Sequence, residues 1–491
     1  MNKLTTNLIL SVFNILWILS IITAFIKPNP ATFAFVIIAA GLFIMCIHDI
    51  TQKKHSLLRN YPLIGRLRWV FEHERTKIQQ YFIEHDTNGT PYNKEKRSDV
   101  YQKSKNELNT VAFGTQLDVY KPGYEYLQHS LYPKKLKDIK DLRVTIGSKY
   151  CKQPYNASVV NISAMSYGAL SHAAIESLNR GAKEGNFYHN TGEGGISEYH
   201  KQGGDLVFQI GTGYFGCGKT YTGVRMFDEE KFIFTVHKSN VKMIEIKLSQ
   251  GAKPGHGGIL PASKNTKEIA EIRGVEPSVD VMSPPYHTAF SNNSELLIFI
   301  KHLRLLSKGL PIGIKMCVGN FDEVESLIKL MKENDTYPDF ITIDGGEGGT
   351  GASPLVFTNH IGTPLLDGLN FVNETLIKYN LRNEIKIIAS GKASTSFDVI
   401  KLIANGADTV NIARGFMLSL GCIQARECNS NTCPVGIATQ NKNLIKGLVP
   451  EHKAQRVYNY HHNLTHEIKE VLGAMGLTST DQLTKDHIKI K

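Results

Sequence analysis

Three cysteines, Cys422, Cys428 and Cys433, stand as C-x5-C-x4-C in the segment GCIQARECNSNTCPVG. Thiolates are soft ligands that select iron–sulfur clusters, zinc or copper(I). No fourth Cys and no His lies within the stretch, whereas a structural zinc site takes four protein ligands. Three ligands suit a cluster with one iron corner missing, a 3Fe-4S unit, although the spacing alone does not choose, because ferredoxin spacings differ. Three unrelated buried thiols are the plainer alternative. Cys46 lies in an apolar run, and Cys151, Cys217 and Cys317 are isolated, so no second cluster is indicated.

Glycine-rich segments carry a second kind of chemistry. Ser390-Gly391-Lys392 and Ala413-Arg414-Gly415 each follow a β-branched run and precede a helical one. Glycines let backbone N–H groups approach phosphate oxygens, a helix N-terminus adds a favourable dipole, and Lys392 and Arg414 supply countercharge. Asp344-Gly345-Gly346-Glu347-Gly348-Gly349-Thr350-Gly351 has five glycines in seven residues, more than a turn needs, which suits backbone lying against a flat ligand. Ser163-Ala164-Met165-Ser166 offers small residues beside room for a bulky ring, and Asn190-Thr191-Gly192-Glu193-Gly194-Gly195 is a further exit of this kind. Lys247 closes a strand-like run. An inward Lys is costly without an anion and would suit the electron-rich edge of a reduced flavin; an outward, solvated Lys is the alternative.

These segments need a scaffold that brings strand ends together. β-branched runs at 159–165, 187–190, 206–210, 244–248, 312–317, 340–344, 385–390 and 409–413 alternate with helix-period runs such as 171–183, 294–307, 321–332 and 396–405. Near-continuous apolar strands between helices predict a parallel sheet buried on both faces. Eight units over about 250 residues predict an α/β fold, a (β/α)8 TIM barrel, with chemistry at the C-terminal strand ends and phosphate at the exits of strands seven and eight. An open doubly wound sheet is the competing architecture. A ninth run, 279–282, reads as an excursion from the loop after strand four.

Ahead of the barrel, residues 7–26 form twenty residues without formal charge, residues 27–30 a turn, and residues 31–47 a second apolar run of seventeen. A membrane-crossing helix needs about 20 residues, with about 17 as the lower limit. The pair predicts a two-helix transmembrane hairpin; a cleaved signal peptide is disfavoured because a second apolar run follows at once. Only Lys3 precedes the hairpin, while Lys53, Lys54, Arg59, Arg66, Arg68, Arg75 and Lys77 follow it, so both termini and the catalytic domain are expected on the cytoplasmic side of the cell membrane. The net charge is +11, and this juxtamembrane stretch assigns the basicity to anionic lipid and not to nucleic acid. Hydrophobic residues make up 42% and charged residues 21%, which excludes wholesale disorder and a polytopic transporter. Seven Cys in 491 residues make no disulfide framework. The expected organisation is a hairpin over 1–50, a basic pre-barrel segment over 51–150, a barrel over 151–441 and a helical, polar, solvated tail over 442–491.

Taken together, NISAMSYGALS, NTGEGG, IEIKLSQGAKPGHGGILP, MSPPYH, DGGEGGTGASP and CNSNTCPVGIATQ resemble the FMN-binding synthase domain of glutamate synthase, over about residues 159–441. The resemblance implies FMN in the barrel and a 3Fe-4S cluster on Cys422, Cys428 and Cys433 that passes electrons to it. It implies reduction of 2-iminoglutarate, formed from 2-oxoglutarate and ammonia, to L-glutamate. Lys247 would then face the flavin, Lys253 and Arg273 would meet the carboxylates of the 2-oxo acid, and Glu193 would serve as proton shuttle or scaffold. The chain departs from the family pattern at Ile259, Ile196 and His256, where Gln, Glu and Glu are usual. It shows no glutaminase segment and no NAD(P)-binding segment, so ammonia and an external electron donor (ferredoxin, flavodoxin or a membrane donor) are expected as partners. Two alternatives stand beside this reading: an FMN-dependent oxidoreductase on another 2-oxo or hydroxy acid, and a non-catalytic flavin and iron–sulfur electron-relay subunit.

Overall fold

The computed structural model describes residues 3–107 and 110–491; Met1 and Asn2, which open the sequence ahead of the hairpin, lie outside them. The chain forms two compact units, divided between Gly89 and Thr90. In the first, helices Lys3–Ile26 and Pro30–Thr51 pack on one another, with Trp17 stacked on Phe43 at 5.3 Å between ring centroids. Asn29 accepts from the backbone N–H groups of Ala31 and Thr32, and Pro30 stands where its missing N–H is harmless, so the second helix starts where the turn residues dictate. Leu8–Ile26 and Pro30–Thr51 both have mean hydropathy 2.4 and turn most of their side chains outward, which makes them long and apolar enough to cross a membrane. The basic run that follows is less free than its sequence suggests. Arg66 donates to Asp49 from Nε at 2.9 Å, Lys77 pairs with Glu74 at 2.8 Å, and Arg68 reaches Glu72 at 3.5 Å.

The second unit is built around eight parallel strands in a closed ring: β1 (Val160–Ile162), β2 (His189–Asn190), β3 (Leu206–Ile210), β4 (Val241–Lys247), β5 (Ile312–Met316), β6 (Phe340–Asp344), β7 (Lys386–Ser390) and β8 (Thr409–Ile412). All eight predicted strands are present, in chain order around the ring, and β8 pairs with β1 to close it. Closure buries both strand faces, which is why the runs read as continuously apolar. The helices are punctuated by their caps. Ser171 accepts from the N–H of Ala174 ahead of helix His172–Gly185, Thr395 and Asp398 form a capping box ahead of Ser396–Ala404, and left-handed Asn186 ends the first of these.

The N-terminal end of the ring is plugged. Strands Arg143–Ile146 and Tyr155–Ser158 form an antiparallel hairpin whose Ile146 and Tyr155 join Tyr188, Val207, Met243, Phe340 and Ile388 in a separate apolar cluster. Phe340 fits because Gly313 has no side chain; a Cβ there would lie 2.2 Å from the Phe340 ring. Burying one such aromatic is worth about 1.5–3 kcal/mol.

The segment after β4 makes the predicted excursion, with Val281–Met282 pairing antiparallel to Ile259–Leu260 outside the ring. The C-terminal region differs from its sequence reading as a solvated cap. Helix Pro450–Ala474 buries Val457, Tyr460, His461, Leu464, Ile468 and Leu472 and packs on helix His172–Gly185, where Gly181 makes room for Val457. Its apolar positions recur every three or four residues, so one face is covered although the sequence is polar on average.

Candidate active site

β4 positions the first two groups. Alternation puts Glu245 and Lys247 on the same inward face. Glu245 is buried and accepts from Asn190 Nδ2 at 2.8 Å, Gln209 Nε2 at 2.6 Å and Thr342 Oγ1 at 2.6 Å, which ties β2, β3, β4 and β6 together inside the ring. Lys315 lies beside Lys247 in the β4–β5 register and reaches Asp344 at 3.4 Å. Burial pulls Lys315 down, but Asp344 and Glu245 outweigh it and hold its value above that of a free lysine. Asp344 also accepts from the Gly251 N–H at 2.8 Å.

One layer outward, at the C-terminal mouth, Lys247 Nζ pairs with Glu193 Oε2 at 2.9 Å. Glu193 stands on the β2 exit and is hemmed in by glycines: a Cβ at Gly258 or Gly211 would lie 2.5 or 2.7 Å from its carboxylate. Burial pushes the Glu193 carboxyl up, but Lys247, Arg273 and Lys253 together outweigh that and hold it below the usual value. Lys253 is 2% exposed. Burial pulls its ammonium down to about 8; Glu193 opposes the drop and Lys247 adds to it. Arg273 ends helix Lys267–Arg273, donates from Nη2 to the Tyr167 carbonyl at 3.1 Å and lies 5.0 Å from the Phe215 ring centre, while its buried Nε–H has no partner among the described residues. Burial brings Arg273 to about 10, opposed by Glu193. The four residues that the sequence proposed from separate motifs are thus one group, with three cations around one carboxylate. A cavity of about 470 Å³ runs beside Arg273, lined by Ile196, Ile272, Phe234 and Arg225 among others. His256 turns its ring toward Phe357, at 5.3 Å, and its Nδ1 lies 3.0 Å from the Gly257 carbonyl.

The small residues Ser163, Ala164, Met165 and Ser166 form the β1 exit at the same mouth. The Ser163 N–H donates to the Ile412 carbonyl at 3.0 Å, and its Oγ is 3.2 Å from that of Ser390, which joins the exits of β1, β7 and β8. At the β7 and β8 exits Lys392 lies close enough to Arg414 that the guanidinium disfavours its charge. Burial lowers the Lys392 ammonium, with Arg414 and Lys96 adding to the drop and Glu347 and Asp398 opposing it. Such a group of cations is relieved by an anion. The glycines have packing reasons of their own. A Cβ at Gly391 would strike Leu365 Cδ2 at 2.5 Å, one at Gly415 the Tyr460 hydroxyl at 2.7 Å, one at Gly345 Leu365 Cβ at 2.6 Å, and one at Gly346 the Gly362 carbonyl at 2.7 Å. Gly251 meets the Gly345 carbonyl so closely that the loops after β4 and β6 touch backbone to backbone.

Beyond β8 the cysteine segment winds through Gln424, Arg426 and Asn431, all with positive φ. Cys433 is buried, and Cys422 and Cys428 are partly so. Burial pushes the Cys422 thiol up to about 12, with Cys428 and Cys433 adding to the rise and Arg97 opposing it. The Cys422 and Cys428 thiols, both raised mainly by burial, resist ionisation until a cation replaces their protons. Among the described residues no three His, Cys, Asp or Glu side chains converge to hold a single metal ion. A multi-iron cluster, which takes one thiolate on each iron, does not need that convergence.

Sequence reasoning overlooked Glu245, Lys315 and Lys264. The first was within reach, since it lies two residues before Lys247 on the same strand face; Lys264, in a Pro-Ala-Ser-Lys turn, carries no local signal.

The family model described as a conserved region in glutamate synthase matches residues 88–478. The glutamate synthase large subunit-like protein YerD of Bacillus subtilis is 37% identical over 484 residues, covering 90% of this chain and 91% of its own. The NADPH archaeal glutamate synthase of Methanocaldococcus jannaschii is 35% identical over 372 residues, covering 75% of this chain and 68% of its own. Among solved structures, a flavocytochrome b2 variant with benzoylformate superposes with a TM-score of 0.45 at 13% identity, covering 90% of this chain and 91% of that one. The chain belongs to the glutamate synthase family and is an oxidoreductase of the class acting on CH–NH2 donors.

Proposed function

We propose that this chain reduces 2-iminoglutarate, formed from 2-oxoglutarate and ammonia, to L-glutamate, using FMN and a 3Fe-4S cluster and anchored to the cell membrane by its helical hairpin. The observation that carries the substrate class is the charge of the mouth. Lys247, Lys253 and Arg273 surround the single carboxylate of Glu193, an excess of two cations that suits a dicarboxylate. Arg273 offers a guanidinium with an unpartnered Nε–H, the geometry that binds one carboxylate, and Lys253 offers a point charge for the other.

The mouth also fits a flavin. Ser163, Ala164, Met165 and Ser166 leave room for the ring, Lys247 would face its electron-rich edge, and the Gly345-Gly346 backbone would lie along it. Lys392 and Arg414, beside Gly391 and Gly415, would hold its phosphate. The chemistry a flavin bound there would supply is hydride transfer to the imine carbon. Glu193, kept ionised by its three cations, orients Lys247 and offers an acceptor to the N–H groups of the incoming nitrogen. Lys253, mostly protonated at pH 7 with a value near 8, holds a carboxylate and can return a proton to the nitrogen. Cys422, Cys428 and Cys433 would each ligate one iron.

Electrons would come from ferredoxin, flavodoxin or a membrane donor, and the cytoplasmic side follows from the basic flank of the hairpin. Ile196 and Ile259 favour a second reading, in which the same machinery acts on another 2-oxo acid with a less polar side chain. One experiment separates these readings: anaerobic reduction of the purified full chain, then flavin reoxidation by a series of 2-oxo acids with and without ammonium. Reoxidation by 2-oxoglutarate that requires ammonium and yields glutamate supports the first reading. Preference for another 2-oxo acid supports the second, and a flavin indifferent to all of them overturns both.

A further inference from the structure

Lys264 ends the short helical turn Ala262–Lys264 in the excursion after β4, and it is 2% exposed. Its ammonium donates to three carbonyls, two in the cysteine segment and one after β1: Cys428 at 2.7 Å, Ala438 at 2.8 Å and Ala169 at 3.2 Å. Three acceptors use all three of its protons. Carbonyls satisfy the hydrogen bonds of an ammonium without cancelling its charge. A net positive charge is therefore kept in a poorly solvated place, where an apolar side chain of the same length would cost folding less. An anion on the cysteine segment accounts for that expense.

We infer that Lys264 is a positioning residue for the iron–sulfur cluster, clamping the Cys428–Ala438 segment to the β1 exit and raising the cluster's reduction potential through its charge. The inference rests on the cluster reading above. Ala169 lies four residues beyond Met165, so the clamp joins the proposed flavin wall to the cysteine segment. Two more bonds run alongside it: Asn431 Nδ2 donates to the Ser263 carbonyl at 2.9 Å, and Gln440 Nε2 donates to the Leu170 carbonyl at 2.9 Å. A fixed cation beside the cluster favours the state with one more electron, so removing it makes reduction harder.

The test is a redox titration of the full-length holoprotein, followed by the cluster's EPR signal, with iron and sulfide counted per chain. Lys264→Met is expected to make reduction of the cluster at least tenfold less favourable, a shift of 59 mV to more negative potential for one electron. Lys264→Arg, which keeps the charge, is expected to stay near wild type. Equal potentials in wild type and Lys264→Met overturn the inference. If Lys264→Met loses iron but keeps flavin, retention of both in Lys264→Arg supports the charge requirement, and loss of iron there too overturns it. Wild-type protein without iron sinks the cluster reading itself, a result distinct from each of these.

Discussion

Lys253 is held at the mouth against the interest of the fold, and replacing it should separate binding from stability. Burial lowers its ammonium from 10.5 to about 8. At 1.36 kcal/mol for each pH unit, that corresponds to about 2–3 kcal/mol against the charged form. Lys253→Met removes the charge and keeps the length of the stem. For a folded unit larger than 250 residues, about 2 kcal/mol raises Tm by about 2–4 °C. The gain depends on pH. Lys253 binds fewer protons folded than unfolded between about pH 8 and 10.5, so wild type regains stability as pH rises through that window. The assay is thermal unfolding of both proteins at pH 7 and pH 9.5. Lys253→Met should melt higher at pH 7, and most of the gap should close at pH 9.5. Binding should move the other way: at pH 7 the variant should lose at least tenfold in affinity for a 2-oxo dicarboxylate, and wild-type affinity should fall above about pH 8 as Lys253 deprotonates. A variant that melts lower at pH 7, a gap that ignores pH, or unchanged dicarboxylate affinity would each refute this account of Lys253.

Two other substitutions probe separate parts of the molecule. Cys428→Ala should abolish bound iron and its visible absorbance while leaving a folded barrel that still binds FMN; iron analysis showing an intact cluster would contradict the ligand assignment. Glu245→Ala strands the donors of Asn190, Gln209 and Thr342 inside the ring and, at about 1–3 kcal/mol for each stranded donor, should cost at least about 3 kcal/mol. Thermal unfolding of this variant within 2 °C of wild type would show that the buried hub does not hold the strands together.

The ring was legible in the sequence because Val and Ile runs buried on both faces leave no polar alternation to confuse them. The misreadings fall where that signal is weakest. β1 and β2 are shorter than their apolar runs, since Ser163 to Ser166 already belong to the exit and His189–Asn190 pairs as only two residues. β4 starts at Val241, three residues before its run of strand formers, because pairing with β3 and not propensity sets its beginning. The grouping of Glu193, Lys247, Lys253 and Arg273 was readable only as a resemblance, since closure of the ring, which no local pattern encodes, brings the exits of β2 and β4 together. The glycines were the least informative signal. Gly391 and Gly415 match a phosphate loop, yet each is also demanded by a neighbouring side chain. The polar tail concealed a buried face, although Val457, Tyr460, Leu464, Ile468 and Leu472 keep a helical period.

The hairpin of Arg143–Ile146 and Tyr155–Ser158 corks the ring from below. Nothing can travel through the cylinder, so reactant and product both use its C-terminal end. Turnover then becomes an exchange in which one molecule must depart before its successor is admitted, and an accumulating product obstructs the entrance it has to leave by.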